Sequence, residues 1–160
     1  MNSKPELTSL LPRNRDDVEN AKAIVALGFP EVQPVLPSLF QWLETSGSKV
    51  ELIIRPFFAS LGDPAFDLVQ KALQTTVKPA RQECLLRFVL PHWPAETLAK
   101  LLPELMALLG THGFHALDVW ALKLLLDKGL GDQAELERWR KHKAIRLTEQ
   151  LNALTCGPTI

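Results

Sequence analysis

The sequence is poor in the features that mark several large classes of protein. Its two cysteines, Cys84 and Cys156, are too few for a disulfide framework. No apolar stretch approaches the roughly 20 residues that span a bilayer. The polar residues 1–11 lack the charged, apolar and small-residue regions of a signal peptide. We therefore expect reduced thiols, no membrane partner and a cytoplasmic location of the bacterial type.

The chain also lacks a net charge. Its 18 basic residues balance 18 acidic ones, and neither half of the chain carries a large excess of one sign. A protein that neutralises many backbone phosphates normally shows a basic excess. The composition therefore disfavours nucleic acid as a partner.

Apolar residues, by contrast, are abundant and recur at helical spacing. One stripe with the i, i+3, i+4, i+7 pattern comprises Val50, Ile53, Ile54, Phe57, Phe58 and Leu61. A second comprises Leu117, Trp120, Ala121, Leu124 and Leu125. No segment alternates like a strand or carries a hairpin signal. The sequence predicts an all-α fold, and 160 residues suit a single domain.

Capping and helix-breaking residues divide the chain into eight predicted helices. Asn14 or Asp16 is expected to cap the first helix, which ends near Gly28. Pro37 fits a first turn, whereas Pro103 lies deeper and predicts a kink. The first four predicted helices are residues 14–28, 30–44 and 49–61 and a helix that begins at residue 64. The last four are residues 79–91, 94–109 and 114–128 and a helix that runs from residue 132 past residue 150.

The predicted helices form pairs with a regular spacing. Pro30, Pro64 and Pro94 each open the second helix of a pair at intervals of 34 and 30 residues, and Asp132 follows 38 residues later. Such spacing favours a right-handed α-solenoid of about four HEAT-like helix pairs. We expect residues 1–160 to form one domain, with residues 1–13 as a flexible extension and 155–160 as a flexible tail. An up-and-down helical bundle is the alternative.

Two runs also carry a family resemblance. They resemble a bacterial family of small HEAT-like repeat domains of unknown function: Leu-Leu-Pro-Arg-Asn-Arg-Asp-Asp at residues 10–17, and Val-Gln-Pro-Val-Leu-Pro-Ser-Leu-Phe-Gln-Trp-Leu at residues 32–43. The Trp93-Pro94 turn is similar to the third repeat of that family, so the resemblance covers residues 10–109. It implies a HEAT-like fold and a bacterial setting, and it brings no activity or site residue.

The clearest candidate for metal binding is the segment that contains His112, His115 and Asp118. Two imidazoles and a carboxylate at a helix start could bind a metal ion. No fourth ligand or established zinc spacing accompanies them, so an exposed loop that contains two histidines is the favoured interpretation. We therefore assign no metal-binding residue.

Two residues within apolar segments could have a chemical role. Cys84 shares a stripe with Leu85 and Phe88, which favours a buried small hydrophobe over a nucleophile. Arg55 follows Glu51 by one turn, so an i, i+4 ion pair is available, and we expect the arginine to lie along the helix surface. If it pointed inward, it would need a carboxylate from a neighbouring repeat. No phosphate-binding loop, nucleophile elbow or other catalytic motif is present.

The last predicted helix carries acidic residues at its start and basic residues further along. This order is favoured by the helix dipole and suits the polar outer face of a terminal repeat. The alternative is a patch for an acidic partner in which Trp139 is an anchor.

The missing catalytic motifs and the repeat pattern favour a non-enzymatic protein-binding module with no cofactor. One concrete version is an immunity or inhibitor protein that masks a bacterial toxin or effector. The alternatives are a HEAT-like nucleic-acid-binding protein or DNA-glycosylase-type enzyme, and a structural subunit of a larger assembly. The candidate partner-binding residues are Gln41, Glu44, Asp67, Gln70, Lys71, Gln74, Glu96, Lys100 and Glu104 on second helices, with Arg138, Trp139 and Lys143 on the last helix.

Overall fold

A computed structural model describes residues 6–44, 47–75 and 77–157 of the chain. Every secondary-structure element in these ranges is helical, which confirms the all-α prediction for the part described. The α-helices are α1 (Val18–Leu27), α2 (Leu36–Phe40), α3 (Lys49–Leu61), α4 (Phe66–Gln74), α5 (Pro79–Cys84), α6 (Ala95–Ala99), α7 (Leu102–Leu108), α8 (Leu117–Lys128) and α9 (Gln133–Thr155). Shorter 3₁₀ helices lie at Leu7–Leu10, Gln33–Val35, Gln41–Glu44, Asp63–Ala65 and Leu90–His92, and a π-helix lies at Leu85–Val89.

Capping residues fix several helix starts. The α1 cap is Asp17, which accepts a hydrogen bond from the Asn20 amide at 3.4 Å. The prediction of Asn14 or Asp16 was wrong because the Asn14 side chain instead closes the preceding turn onto the Asp16 amide. Helix α3 has the predicted bounds, and Asp132 caps α9 as its position at the start of the last segment suggested.

Prolines divide the longer predicted segments. The kink expected at Pro103 is a complete break, since α6 ends at Ala99 and α7 begins at Leu102. Proline lacks the amide hydrogen of its position and its ring clashes with the carbonyl four residues earlier, here that of Ala99. Pro37 lies in the first turn of α2, as predicted. Pro30 precedes the second helical segment instead of opening it, because helical structure resumes only at Gln33.

The segment before α8 is longer than predicted. We expected this helix from residue 114, but it begins at Leu117. Ala116 has a left-handed backbone with φ of 48°, the only positive φ of a non-glycine residue among those described, and this turn delays the helix. Residues 110–116 therefore form a loop that connects α7 to α8.

One continuous core holds the helices together. Helix α1 contacts α3, α3 contacts the segment formed by α5 and the π-helix, and this segment contacts α8. In addition, α4 contacts α7, and α9 packs on α8. The largest enclosed side chain, Trp93, donates its indole N–H to the Phe58 carbonyl at 3.0 Å. Leu7, Leu10 and Leu11 pack against this core, so this part of the expected N-terminal extension belongs to the folded body.

The Glu51 carboxylate joins the start of α3 to α5. It is 1% exposed, pairs with Arg55 Nη2 at 2.7 Å and accepts the Gly47 amide at 2.6 Å. Arg55 is 18% exposed and lies 3.9 Å above the Phe88 ring. Its expected place on the surface was therefore wrong, because an aromatic ring of the neighbouring segment covers the guanidinium. The carboxylate that pairs with it comes from its own helix.

Candidate functional site

A groove of about 690 Å³ lies between α4, α5, α7 and the 110–116 loop. Most of its wall is apolar, including Leu73, Pro79, Pro103, Ala107 and Leu108. Ligand sites in proteins have volumes of about 300 to 1,000 Å³ and are mostly apolar with a few placed polar groups. The groove has the size and lining of a binding site. We call it the α4–α7 groove.

A buried glutamine builds one wall of this groove. The Gln82 amide nitrogen donates to the carbonyls of Ala72, Leu73 and Thr75 at 3.2, 3.1 and 2.7 Å. These carbonyls lie at the end of α4, where a helix leaves its last acceptors without internal partners. A single side chain of α5 therefore fixes the end of α4, and this wall is formed before any ligand arrives.

Three candidate partner-binding residues converge where α4 meets α7, and two of them, Gln74 and Glu104, line the groove. Glu104 Oε1 accepts hydrogen bonds from the side-chain amides of Gln70 at 2.9 Å and Gln74 at 3.0 Å. Glu104 Oε2 is enclosed by protein atoms and has no hydrogen-bond partner among the described residues. No salt bridge of the described chain includes Glu104. Its carboxylate is thus held by neutral amides alone.

The rim of the groove is the 110–116 loop. The Thr111 hydroxyl donates to the Leu108 carbonyl at 2.7 Å, and His115 Nδ1 lies 2.7 Å from Glu83 Oε2. Partial burial raises the pKa of Glu83, but hydrogen bonds and charges from His115 and Arg87 outweigh it and lower the pKa below its usual value. Between these two anchors, the Phe114 side chain is 99% exposed. The loop therefore presents an aromatic ring to solvent from a tethered backbone.

The structure does not assemble the metal-binding candidate. His115 binds Glu83, whereas His112 Nδ1 lies 3.9 Å from Asp118 Oδ2, so the two imidazoles serve different carboxylates. Asp118 is buried and forms a salt bridge with Lys143 of α9. Within residues 6–44, 47–75 and 77–157, no group of three or more metal-ligating side chains converges.

The basic run of α9 borders a second groove, of about 510 Å³. This part of α9 contains three of the candidate partner-binding residues, and two of them take part in packing. Trp139 lies partly buried against the core, and Lys143 pairs with Asp118. Burial and the charge of Arg146 lower the pKa of Lys143. Only Arg138 of the three is exposed. The expected anchor, Trp139, therefore already has an internal role.

The remaining candidate residues are scattered. Glu44 forms ion pairs with Lys78 and Arg81, and Lys100 lies 3.4 Å from Asp63, so both link separate helical segments. The other four candidate residues are exposed at separate positions on the predicted second helices. They are Gln41, Asp67, Lys71 and Glu96. The structure thus places two of the twelve, Gln74 and Glu104, in one groove, with Gln70 hydrogen-bonded to Glu104.

The Cys84 thiol is buried, as expected, and donates to Glu51 Oε1 at 3.3 Å. Burial, reinforced by the negative charge of Glu51, raises the pKa of Cys84 to about 12. The thiol is therefore held protonated at neutral pH, which opposes a nucleophilic role.

Sequence reasoning missed Phe114, Gln82 and Glu83. Phe114 could have been found, because a phenylalanine between Gly113 and His115 belongs to no apolar stripe. Gln82 and Glu83 gave no signal, since their partners lie in other helices and depend on the tertiary fold.

Comparison with known families and proteins gives no assignment. No protein-family model matches the chain, and no curated protein matches it. The resemblance to small bacterial HEAT-like domains stays a prediction. Among the described helices, none has the length and apolar character needed to cross a membrane.

Proposed function

We propose that the chain is a non-enzymatic protein-binding module that receives an apolar segment of its partner in the α4–α7 groove. The observation that carries this proposal is the fully exposed Phe114 ring beside a groove with a largely apolar wall. Val77, which is 76% exposed, lies just before the wall residue Pro79. Large apolar groups at the rim of a preformed groove are typical of protein interaction sites, where aromatic anchors contribute much of the binding free energy.

We infer that the helices stack as a right-handed α-solenoid of four HEAT-like pairs. Support comes from side-chain links that join residues one repeat apart. The offset is 33 residues for Glu51 with Cys84, 34 for Glu44 with Lys78, Asp63 with Thr97 and Gln70 with Glu104, and 35 for Phe58 with Trp93. Further links between these segments span 30 residues, for Gln74 with Glu104, and 37, for Lys100 with Asp63 and Arg81 with Glu44. Equivalent positions in stacked repeats are separated by one repeat length, so a nearly constant offset is what stacking predicts.

In its most specific form, the proposal is a bacterial cytoplasmic immunity or inhibitor protein that masks a toxin or effector. An inhibitor needs a preformed surface, and the Gln82 and His115 hydrogen bonds fix both sides of the groove. Preformed surfaces lose less conformational entropy on binding, which favours tight complexes. The family resemblance, with its bacterial setting, agrees with this version.

Site-directed photocrosslinking tests the proposal. The photoreactive residue p-benzoylphenylalanine replaces Phe114 in one variant and Leu52, which is 55% exposed on α3, in a control. Both variants are irradiated in an extract of the source organism. We expect one discrete protein adduct for position 114 and none for position 52.

The crosslinked protein is then identified, purified and added back to the wild-type chain. Direct binding of the two purified proteins supports the proposal. Equal adducts at both positions, or a purified candidate that does not bind, would overturn it.

A further inference from the structure

We infer that the α4–α7 groove selects a partner segment in which a lysine or arginine lies among apolar residues, with Glu104 as the recognition group. This inference rests on the proposed function for the identity of the occupant as a protein. The selectivity for a cation is argued from the charge of the groove itself.

The groove contains one carboxylate and no strong cation. Among the residues that line it, none is a lysine or arginine, and Glu104 is the only acid. Of its two histidines, His115 is engaged with Glu83 and His112 is nearest to Asp118. No lining group therefore neutralises the charge of Glu104.

The local structure explains how the folded chain tolerates this charge. Glu104 lies in the first turn of α7, where the helix dipole stabilises an anion. Its two hydrogen bonds come from the neutral amides of Gln70 and Gln74, which fix the carboxylate without cancelling its charge. A carboxylate on a largely apolar wall acts over a longer range than one in water, since the local dielectric is lower.

The carboxylate also has spare acceptor capacity. Both amide bonds go to Oε1, while the enclosed Oε2 has no partner among the described residues. The last torsion of a glutamate side chain is broad, so a ligand cation can draw a carboxylate oxygen toward the groove in exchange for one of the two amide bonds. A ligand ammonium or guanidinium would then gain a charge-assisted hydrogen bond while its carbon chain covers Leu73 and Ala107.

A pair of small probes separates charge from apolar contact. Octylammonium mimics a lysine stem with its cation, and 1-octanol is its neutral counterpart. Each is titrated into the ¹⁵N-labelled chain, below its aggregation limit, and backbone amide shifts are followed by NMR. We expect both to shift the amides of Leu73, Ala107 and Leu108, and octylammonium to bind about fivefold more tightly, as one partly exposed ion pair provides.

Three variants test the role of Glu104. In Glu104→Gln the preference for octylammonium should disappear while octanol still binds. Glu149→Gln, an equal charge change on the exposed face of α9, should leave the preference intact. Ala107→Phe fills the groove without a change of charge and should weaken both probes. Thermal unfolding of each variant establishes that it is folded.

Equal affinities for the two probes in the wild type, or a preference that survives Glu104→Gln, would overturn the inference. So would shifts confined to residues outside the groove. The probes contain no protein, so a failure here leaves the crosslinking result untouched. The converse result is that position 114 gives no crosslink while the chain still prefers octylammonium. That result would refute the proposal of a protein partner, and it would leave the cation selectivity of the groove in place.

Discussion

Replacement of Glu51 by alanine is expected to remove a large share of the stability of the fold. The carboxylate is 1% exposed and is bound by Arg55 Nη2 at 2.7 Å, by the Gly47 amide at 2.6 Å and by the Cys84 thiol at 3.3 Å. Glu51→Ala leaves the Arg55 guanidinium without its counter-ion in a site that is only 18% exposed. The variant therefore carries an uncompensated, poorly solvated positive charge.

The magnitude follows from that burial. Loss of one partner of a buried ion pair costs about 3 to 5 kcal/mol. Because Arg55 retains some solvent contact and the Phe88 ring, we expect the lower end, about 3 kcal/mol. Domains of this size are stable by about 5 to 15 kcal/mol, so this is a substantial fraction. The melting temperature should fall by about 6 to 12 °C.

Urea unfolding followed by tryptophan fluorescence measures the change. Glu51→Gln keeps the shape and one of the two acceptor oxygens, so it should cost less than Glu51→Ala. The double variant Glu51→Ala with Arg55→Met removes both charges and should be more stable than Glu51→Ala alone. Glu19→Ala, at an exposed site in the first turn of α1, is the matched control. A cost below about 1 kcal/mol for Glu51→Ala, or strictly additive effects in the double variant, would refute the reasoning.

Four further predictions concern the two thiols, the core and the partner class. In the native protein a thiol reagent should label exposed Cys156 rapidly and leave buried Cys84 unmodified until unfolding. The pKa of Cys84 is raised from 9.0 to about 12 in the folded chain. Between pH 9 and 12 the unfolded chain therefore releases a proton that the folded chain keeps, so the free energy of unfolding should fall over this range. In Cys84→Ala this part of the fall should be absent from urea midpoints. Trp93→Phe should cost about 2 kcal/mol, because the indole hydrogen bond to Phe58 and part of the packing are lost. A fluorescent 20-base-pair duplex should show no salt-dependent anisotropy increase with the chain, and clear binding at low salt would favour the nucleic-acid alternative.

Local patterns were sufficient to predict much of the fold. Apolar spacing gave the helical class and the bounds of α3, while Gly28 ended α1 as expected. These signals depend on neighbours within about four residues, which the sequence shows directly. The start of α8 was missed because the left-handed turn at Ala116 has no glycine to announce it. Pro103 was expected to kink a single helix, but α6 and α7 are separate helices there.

The candidate site was predictable only in its parts. Gln70, Gln74 and Glu104 were each selected as polar positions on second helices, but their convergence spans 30 to 34 residues and depends on how the helices stack. The same distance in sequence hid the environment of Arg55, whose covering ring belongs to Phe88. Contacts between distant helices are set by tertiary packing, which the periodicity within one helix does not predict.

The central claim is that the α4–α7 groove is where the partner binds. The most direct test is calorimetric titration of the purified crosslinking partner with wild-type chain, Ala107→Phe and Ala99→Phe. Ala107 lines the groove, and Ala99 is exposed on α6 away from it. We predict that Ala107→Phe weakens binding at least about tenfold, since an intruding ring excludes the partner segment, and that Ala99→Phe has wild-type affinity. Equal affinities for all three proteins would contradict the claim.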